Sequence, residues 1–306
     1  MKFSRRETLG ALAAAATAPM LQSLLHAAEA AGADKPQVAT NTYPWSTFAR
    51  REGQPLVLHS NALLAEIART GITGYEPIID QPGEFEGLVD RLQKHGLVMS
   101  SIYVNSTLHD PAQTKSSIAQ VLAIADAAAQ AGVKIIVTNP SPVRWGGAEN
   151  KTDEQLRLQA RSLDQLGREL RDRGLTLAYH NHDAELRAGA REFHHMLTAT
   201  SPEHVKFCLD AHWVFRGCGD SEVAVFDALA HYQERIVELH LRQSTGGVWD
   251  EAFAMQGDID YARLLKVLAK HDNRPHLVLE QAVEAKSSRL LTAVEAHRQS
   301  YNNLVS

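Results

Sequence analysis

Four short stretches of the chain each end an apolar run with groups able to carry protons or hold a metal ion. They are Tyr179-His180-Asn181-His182-Asp183, Leu209-Asp210-Ala211-His212, Glu238-Leu239-His240-Leu241-Arg242 and Leu279-Glu280-Gln281. On a β-strand successive side chains point to opposite faces, so His180 shares a face with His182, Asp210 with His212, and His240 with Arg242. If the four strands are neighbours, they deliver two imidazoles and two carboxylates to one rim. Such a set is costly to bury unless it is paired or bound to a metal. Mixed nitrogen and oxygen donors suit Mn²⁺, Zn²⁺, Co²⁺ or Fe²⁺ better than Ca²⁺, and the carboxylates also admit Mg²⁺. Taken singly, each residue has a structural alternative. A strand-end His is commonly a hydrogen-bonded framework residue, Asp210 can cap the next turn, and Glu280 can pair with Arg242 across the mouth. The joint pattern favours the metal.

The elements that must position these groups alternate along the chain. Short apolar or β-branched runs cover 38–45, 71–78, 97–105, 134–139, 175–182, 205–212, 236–242 and 276–281. Helical candidates lie between or after them, near 61–70, 84–95, 111–131, 152–173, 190–199, 221–233, 258–271 and 285–300. In 111–131, Ile118, Val121, Leu122, Ile124 and Ala125 return at three- and four-residue steps, the period of one helix face. Gly96, Gly132 and Gly174 stand where a helix ends before the next strand, as left-handed caps require. Eight such repeats predict a single-domain α/β fold, a (β/α)8 TIM barrel, whose chemistry gathers at the C-terminal strand ends. An open doubly wound sheet would need a glycine-rich phosphate loop after an early strand, and the sequence has none.

Composition narrows the partners. The chain has 306 residues, 44% hydrophobic and 22% charged, with a formal charge of −5, so no basic surface recommends a nucleic acid. Cys208 and Cys218 are too few for a disulfide framework. The first thirty residues read as an address: Ser4-Arg5-Arg6-Glu7-Thr8-Leu9 resembles a twin-arginine export signal, followed by an Ala-rich apolar run and a small-x-small site at Ala28-Glu29-Ala30. The expectation is a signal over 1–30, a barrel domain over 31–306, a periplasmic location, and no membrane insertion of the mature protein.

The chain resembles the xylose isomerase-like barrels known as sugar phosphate isomerases/epimerases, which include the tagatose 3-epimerase relatives. The resemblance covers about 38–285 and rests on GITGYE (71–76), YHNHDAEL (179–186), LDAH (209–212), ELHLR (238–242), GDID (257–260) with Leu264, and LVLEQ (277–281). It implies one divalent metal at the ends of strands five to eight, held by His180, Asp210, His240 and Glu280, and a small-molecule carbohydrate as substrate. A homo-oligomer is compatible with it. In the epimerases the strand-five ligand is a Glu that also serves as acid/base, whereas this chain has His180. His182 and Glu185 are the nearby candidates to replace that base.

The chemistry these residues could perform runs through an enediolate. A metal acting as a Lewis acid on a carbonyl and its neighbouring hydroxyl acidifies the C–H between them. Glu280 or a strand-five group then removes the proton. Arg242 would neutralise a developing oxyanion, or pair with a rim carboxylate. Glu76 is expected to hydrogen-bond a substrate hydroxyl, Trp213 to line a sugar ring, and His212 to orient a ligand or hydroxyl from behind. Isomerisation, epimerisation and β-elimination from a 3-keto-glycoside all share this proton removal. A three-metal phosphodiesterase would need further ligands on strands two to four, yet strand four ends Thr138-Asn139-Pro140. A non-catalytic sugar-binding barrel is the remaining class.

Overall fold

A computed structural model describes residues 37–306, so the export signal expected over 1–30 lies outside the described residues. Eight strands form one sheet: β1 (Val38–Asn41), β2 (Gly74–Glu76), β3 (Ser101–Tyr103), β4 (Ile135–Thr138), β5 (Thr176–His180), β6 (Val205–Asp210), β7 (Ile236–Leu241) and β8 (His276–Leu279). Each of their seven ladders is parallel, in the spatial order β2-β1-β8-β7-β6-β5-β4-β3. The two ends of that order meet. Tyr75 N–H donates to Val98 O at 2.9 Å and Tyr103 N–H donates to Pro77 O at 2.9 Å, which closes the sheet into the expected TIM barrel. A small hairpin (Ser244–Thr245 with Val248–Trp249) follows β7.

The helices are α1 (Thr42–Glu52), α2 (Asn61–Ala68), α3 (Leu88–Lys94), α4 (Thr114–Gln130), α5 (Asp153–Arg171), α6 (Arg187–Thr198), α7 (Ala211–Gly217), α8 (Glu222–Tyr232), α9 (Tyr261–Lys270) and α10 (Ala293–Val305). α5 shows why they form: Thr152 and Gln155 make a reciprocal capping box, and Leu156, Leu163, Leu166 and Leu170 turn one face inward. The turns after α3, α4 and α5 place Gly96, Gly132 and Gly174 at φ of +67°, +86° and +75°, the left-handed caps expected of them.

Two helices depart from the sequence expectation. The run 38–45 reads as one strand, yet the Asn41 side chain accepts Tyr43 N–H at 3.2 Å and starts α1. The run 205–212 also reads as one strand, yet Asp210 accepts Trp213 N–H at 2.9 Å and starts α7. In both places a side-chain cap at the strand end outweighs the β-preference of the residues after it.

The main apolar core lies between barrel and helices, where Leu163, Leu166, Phe193, Phe207, Leu229 and Leu264 are buried. Inside the barrel a smaller cluster joins Tyr103, Val137, Ala178 and Cys208. On the β1–β2 side the interior side chains are smaller still. A Cβ built at Gly74 would stand 2.8 Å from Ala39 Cβ, so only glycine fits that contact. The space left inside the barrel is filled by polar groups.

Candidate metal centre

Strand register brings the predicted donors together. Asp210 and His240 are direct partners across β6–β7, and β8 runs beside β7 so that Val278 partners His240 and Glu280 follows at the mouth. One donor atom each from His180, Asp210, His240 and Glu280 lies within 4.8 Å of all the others. His180 Nε2 is 3.0 Å from His240 Nδ1 and 3.9 Å from Asp210 Oδ2, and His240 Nδ1 is 3.5 Å from Glu280 Oε1. All four residues are buried.

The structural alternatives are present as well, and they coexist with the ring. Asp210 spends Oδ1 on the α7 cap while its buried Oδ2 has no hydrogen-bond partner among the described residues. Glu280 gives Oε2 to the Arg242 guanidinium and takes Asn41 Nδ2 on Oε1 at 2.5 Å. Arg242, fully buried, also stands 3.6 Å from Asp210 Oδ2, and its guanidinium carbon lies 4.4 Å from the Trp249 ring centre and 4.9 Å from that of Trp213. Each carboxylate is thus pinned by the framework and still offers an oxygen to the ring.

The electrostatics describe a cluster short of positive charge. Burial pushes the Asp210 carboxyl up to about 7, only partly offset by Arg242. Burial acts the same way on Glu280, but Arg242 and His240 outweigh it and hold that carboxyl well below its usual range. Burial, with His240 and His182 nearby, keeps His180 neutral, and burial lowers His182 to about 4. Burial opposes a charge on His240, but Cys208, Glu76 and Glu280 around it outweigh burial and raise its imidazole well above the usual range. Two imidazoles, two carboxylates and an orphaned Asp210 oxygen in a dry site form a donor set that fits one divalent cation, which would replace the proton on His240.

Around this ring the other predicted residues divide. His182 sits beside it, ring centre 4.7 Å from that of His180, between the edges of Trp145 and Trp213, and its Nδ1 has no partner among the described residues. Trp213 is part-buried against Arg242 and His182, where a sugar face could lie. Glu185 is buried and accepts His182 N–H at 2.6 Å, so it holds the strand-five loop while burial lifts its carboxyl to about 7. His212 is turned by α7, which begins at Ala211, and its Nε2 bonds the Ser244 hydroxyl at 2.9 Å, behind Arg242; burial, joined by the charge of Arg242, lowers its imidazole to about 2.

Glu76 is corrected. Its carboxylate is fully buried beneath His240, with Oε1 at 3.2 Å from His240 Nε2 and Oε2 accepting from Ser101 Oγ at 2.9 Å, so it does not face a substrate. Four residues without a predicted role also belong here: Asn41 on Glu280, Trp249 over Arg242, Tyr103 edge-on to His180 at 5.6 Å, and Glu238. Glu238 was legible, since it lies two residues before His240 on the same strand face, and its Oε1 stands 3.2 Å from His240 Nε2. Asn41 and Tyr103 had no such signal in the sequence.

Fold and donor ring together define a TIM barrel with a candidate metal centre at the C-terminal ends of its strands. The chain belongs to the xylose isomerase-like TIM barrel family, whose sequence profile matches residues 64–300. Among characterised proteins it is similar to an inosose dehydratase from Clostridium botulinum, 24% identical over 245 residues that cover 71% of this chain and 80% of the relative. Among solved structures it superposes on the 3-keto-D-glucoside 4-epimerase of E. coli (TM-score 0.61, 17% identity, 88% of this chain and 99% of the other). It also superposes on a xylose isomerase-like barrel from Mycobacterium smegmatis in complex with magnesium (TM-score 0.63, 14% identity, 88% and 96%). Among the described residues no helix is long and apolar enough to cross a membrane.

Proposed function

We propose that this protein is a divalent-metal-dependent sugar isomerase or epimerase that removes a proton next to a carbonyl of a sugar or sugar derivative. The observation that carries this is the ring of four donors from four consecutive strands, all within 4.8 Å of one another. His180, Asp210, His240 and Glu280 would hold the ion. When bound there it supplies Lewis acidity toward a carbonyl and an adjacent hydroxyl.

The chain's own residues supply the rest. Glu280, clamped by Arg242 and Asn41, is a better ligand than base, because a carboxylate held well below its usual range accepts a proton poorly. His182, part-buried at the rim and clamped by no ion pair among the described residues, is the base of this reading, although burial holds its imidazole down to about 4. Arg242 keeps Glu280 ionised and in place, and Trp213 offers a flat face for the sugar ring.

A second reading, β-elimination from a 3-keto-glycoside, needs the same proton removed followed by loss of a leaving group. It is favoured by the similarity to an enzyme named as a dehydratase and to one named for a 3-keto-glucoside. The export signal read in the first thirty residues adds to it, since an exported enzyme meets glycosides more readily than sugar phosphates.

Incubating metal-loaded protein with free sugars and 3-keto-glycosides in heavy water tests both readings. Deuterium at the carbon next to the carbonyl, lost on His182→Ala with metal content unchanged, supports the scheme. No exchange into any of these compounds would sink it. A new unsaturated product separates elimination from isomerisation.

A further inference from the structure

Below the donor ring lies a second polar layer that the proposed chemistry does not use. His240 is the hinge between the two. Its Nδ1 faces the ring, 3.0 Å from His180 Nε2 and 3.5 Å from Glu280 Oε1. Its Nε2 faces down into the barrel, 3.2 Å from Glu238 Oε1 and 3.2 Å from Glu76 Oε1. Glu76, Glu238 and His240 are all fully buried, so no bulk water weakens or replaces these contacts.

From this geometry we infer that Glu238, backed by Glu76, is a positioning residue that fixes the tautomer and the orientation of His240 as a metal ligand. The inference rests on the metal reading above and adds a role to residues that touch neither ion nor substrate. A neutral imidazole carries one proton on one of two nitrogens. Carboxyl oxygens of Glu238 and Glu76, each 3.2 Å from Nε2, accept a proton held there, which leaves the Nδ1 lone pair of a neutral His240 directed into the ring. Carboxylates of this kind behind a metal-bound His raise its basicity and lock its ring.

The pair is itself held. Glu76 Oε2 accepts from Ser101 Oγ at 2.9 Å, and Cys208, the register partner of Glu238, directs its Sγ–H at Glu238 Oε1 from 3.5 Å. The close approach of Gly74 to Ala39 keeps this side of the barrel free of bulk. Two carboxylates in a dry interior are expensive unless they have cationic or donating partners. Here the imidazole N–H, the Ser101 hydroxyl and the Cys208 thiol are those partners.

The test combines tautomer and affinity. Long-range ¹H–¹⁵N spectra of metal-free wild-type protein, with His240 assigned by His240→Gln and the pH raised until its ring holds a single proton, should show that proton at Nε2. Titration with Mn²⁺ and with Zn²⁺ should show about 10- to 100-fold weaker binding in Glu238→Leu. Glu238→Gln should restore part of it, since its amide oxygen still accepts from Nε2–H. Glu76→Gln and Ser101→Ala should give smaller losses, and they keep the question answerable should Glu238→Leu fail to fold.

Protonation of His240 at Nδ1, or unchanged affinity in both Glu238 variants, overturns the inference while leaving the donor ring standing. Two metal ions per wild-type chain, falling to one in Glu238→Leu, also overturns it, because the lower layer would then be a site of its own. A wild-type chain that binds neither metal sinks the reading under Proposed function, and the tautomer measurement still decides this one.

Discussion

Replacing Asp210 by Asn separates metal binding from folding, because the structure assigns the two carboxylate oxygens to different tasks. Oδ1 accepts Trp213 N–H at 2.9 Å and caps α7. Asn caps a helix as well as Asp, so this contribution survives. Oδ2 is buried, makes no hydrogen bond among the described residues, and stands 3.6 Å from Arg242 and 3.9 Å from His180 Nε2. Exchanging it for an amide nitrogen loses the attraction to Arg242 and removes the cost of burying the charge. Such terms tend to offset, and Arg242 keeps Glu280 as a partner, so metal-free Asp210→Asn should match metal-free wild type to within about 2 kcal/mol. The metal-linked stability behaves otherwise. At about a thousandfold excess over its dissociation constant, an ion bound only to the folded chain adds about 4 kcal/mol. At about 2–4 °C per kcal/mol for a domain near this size, wild type should gain roughly 8 °C or more in Tm. Scanning calorimetry of both proteins, stripped by chelator and then loaded with Mn²⁺, reads both quantities. The reasoning is refuted if the variant keeps the metal-induced rise, or if it falls far below metal-free wild type before any metal is added.

Arg242→Met in metal-free protein should lower stability by about 3–5 kcal/mol in urea, because Glu280 and Asp210 lose their buried counter-charge; a loss under 1 kcal/mol would show that the guanidinium is not their anchor. Glu251 gives a pH signature away from the site. Burial alone would raise its carboxyl, but Ser288, the Leu290 and Leu291 N–H groups and Arg51 together hold it down to about 2 from 4.5. A depressed carboxyl contributes stability that is complete above about pH 4.5 and is lost as pH falls toward 2, here about 3 kcal/mol. Urea denaturation should therefore find Glu251→Gln less stable at pH 7, with the gap to wild type closing as the pH drops below 4; a gap independent of pH contradicts this.

The barrel was legible because its signals are periodic and repeated. Apolar runs alternate with helical spacing eight times, and glycines mark three helix ends at the expected left-handed turns. His180, Asp210, His240 and Glu280 were legible because each closes an apolar run, and register then carries all four to one rim. What the sequence hid is where a strand stops. Alternation assigns His212 to the face of Asp210, but a single cap bond from Asp210 to Trp213 bends the chain into α7 and sends His212 to Ser244. Glu76 was misplaced in depth rather than in direction. It points into the barrel as its strand end requires, but it lies fully buried against His240 Nε2 at 3.2 Å, on the side of that ring away from the donors. Periodicity reports direction along a strand and is silent about height relative to strands far away in sequence.

His180 bears most directly on the reaction. On the proposed reading an ion held by His180, Asp210, His240 and Glu280 would sit among two carboxylates, Asp210 and Glu280, whose charge balances a divalent cation. His180 Nδ1 is buried without a partner among the described residues, so an imidazole that commits Nε2 to the ring has no exposed nitrogen left to reach a substrate. Glu280 is held by Arg242 and Asn41 on its two oxygens and is a poor proton acceptor. That leaves His182, part-buried on one side of the ring and uncharged. One base can pass a proton between adjacent carbons, or take it before a leaving group departs. Inverting a single carbon requires removal from one face and return to the other. With His182 as the one base, deuterium exchange should accompany isomerisation or elimination with retained configuration in recovered substrate, which decides between the isomerase and epimerase forms of the proposed reading. Recovered substrate inverted at the exchanged carbon would require a second base on the opposite face and would move the catalytic role away from His182 alone.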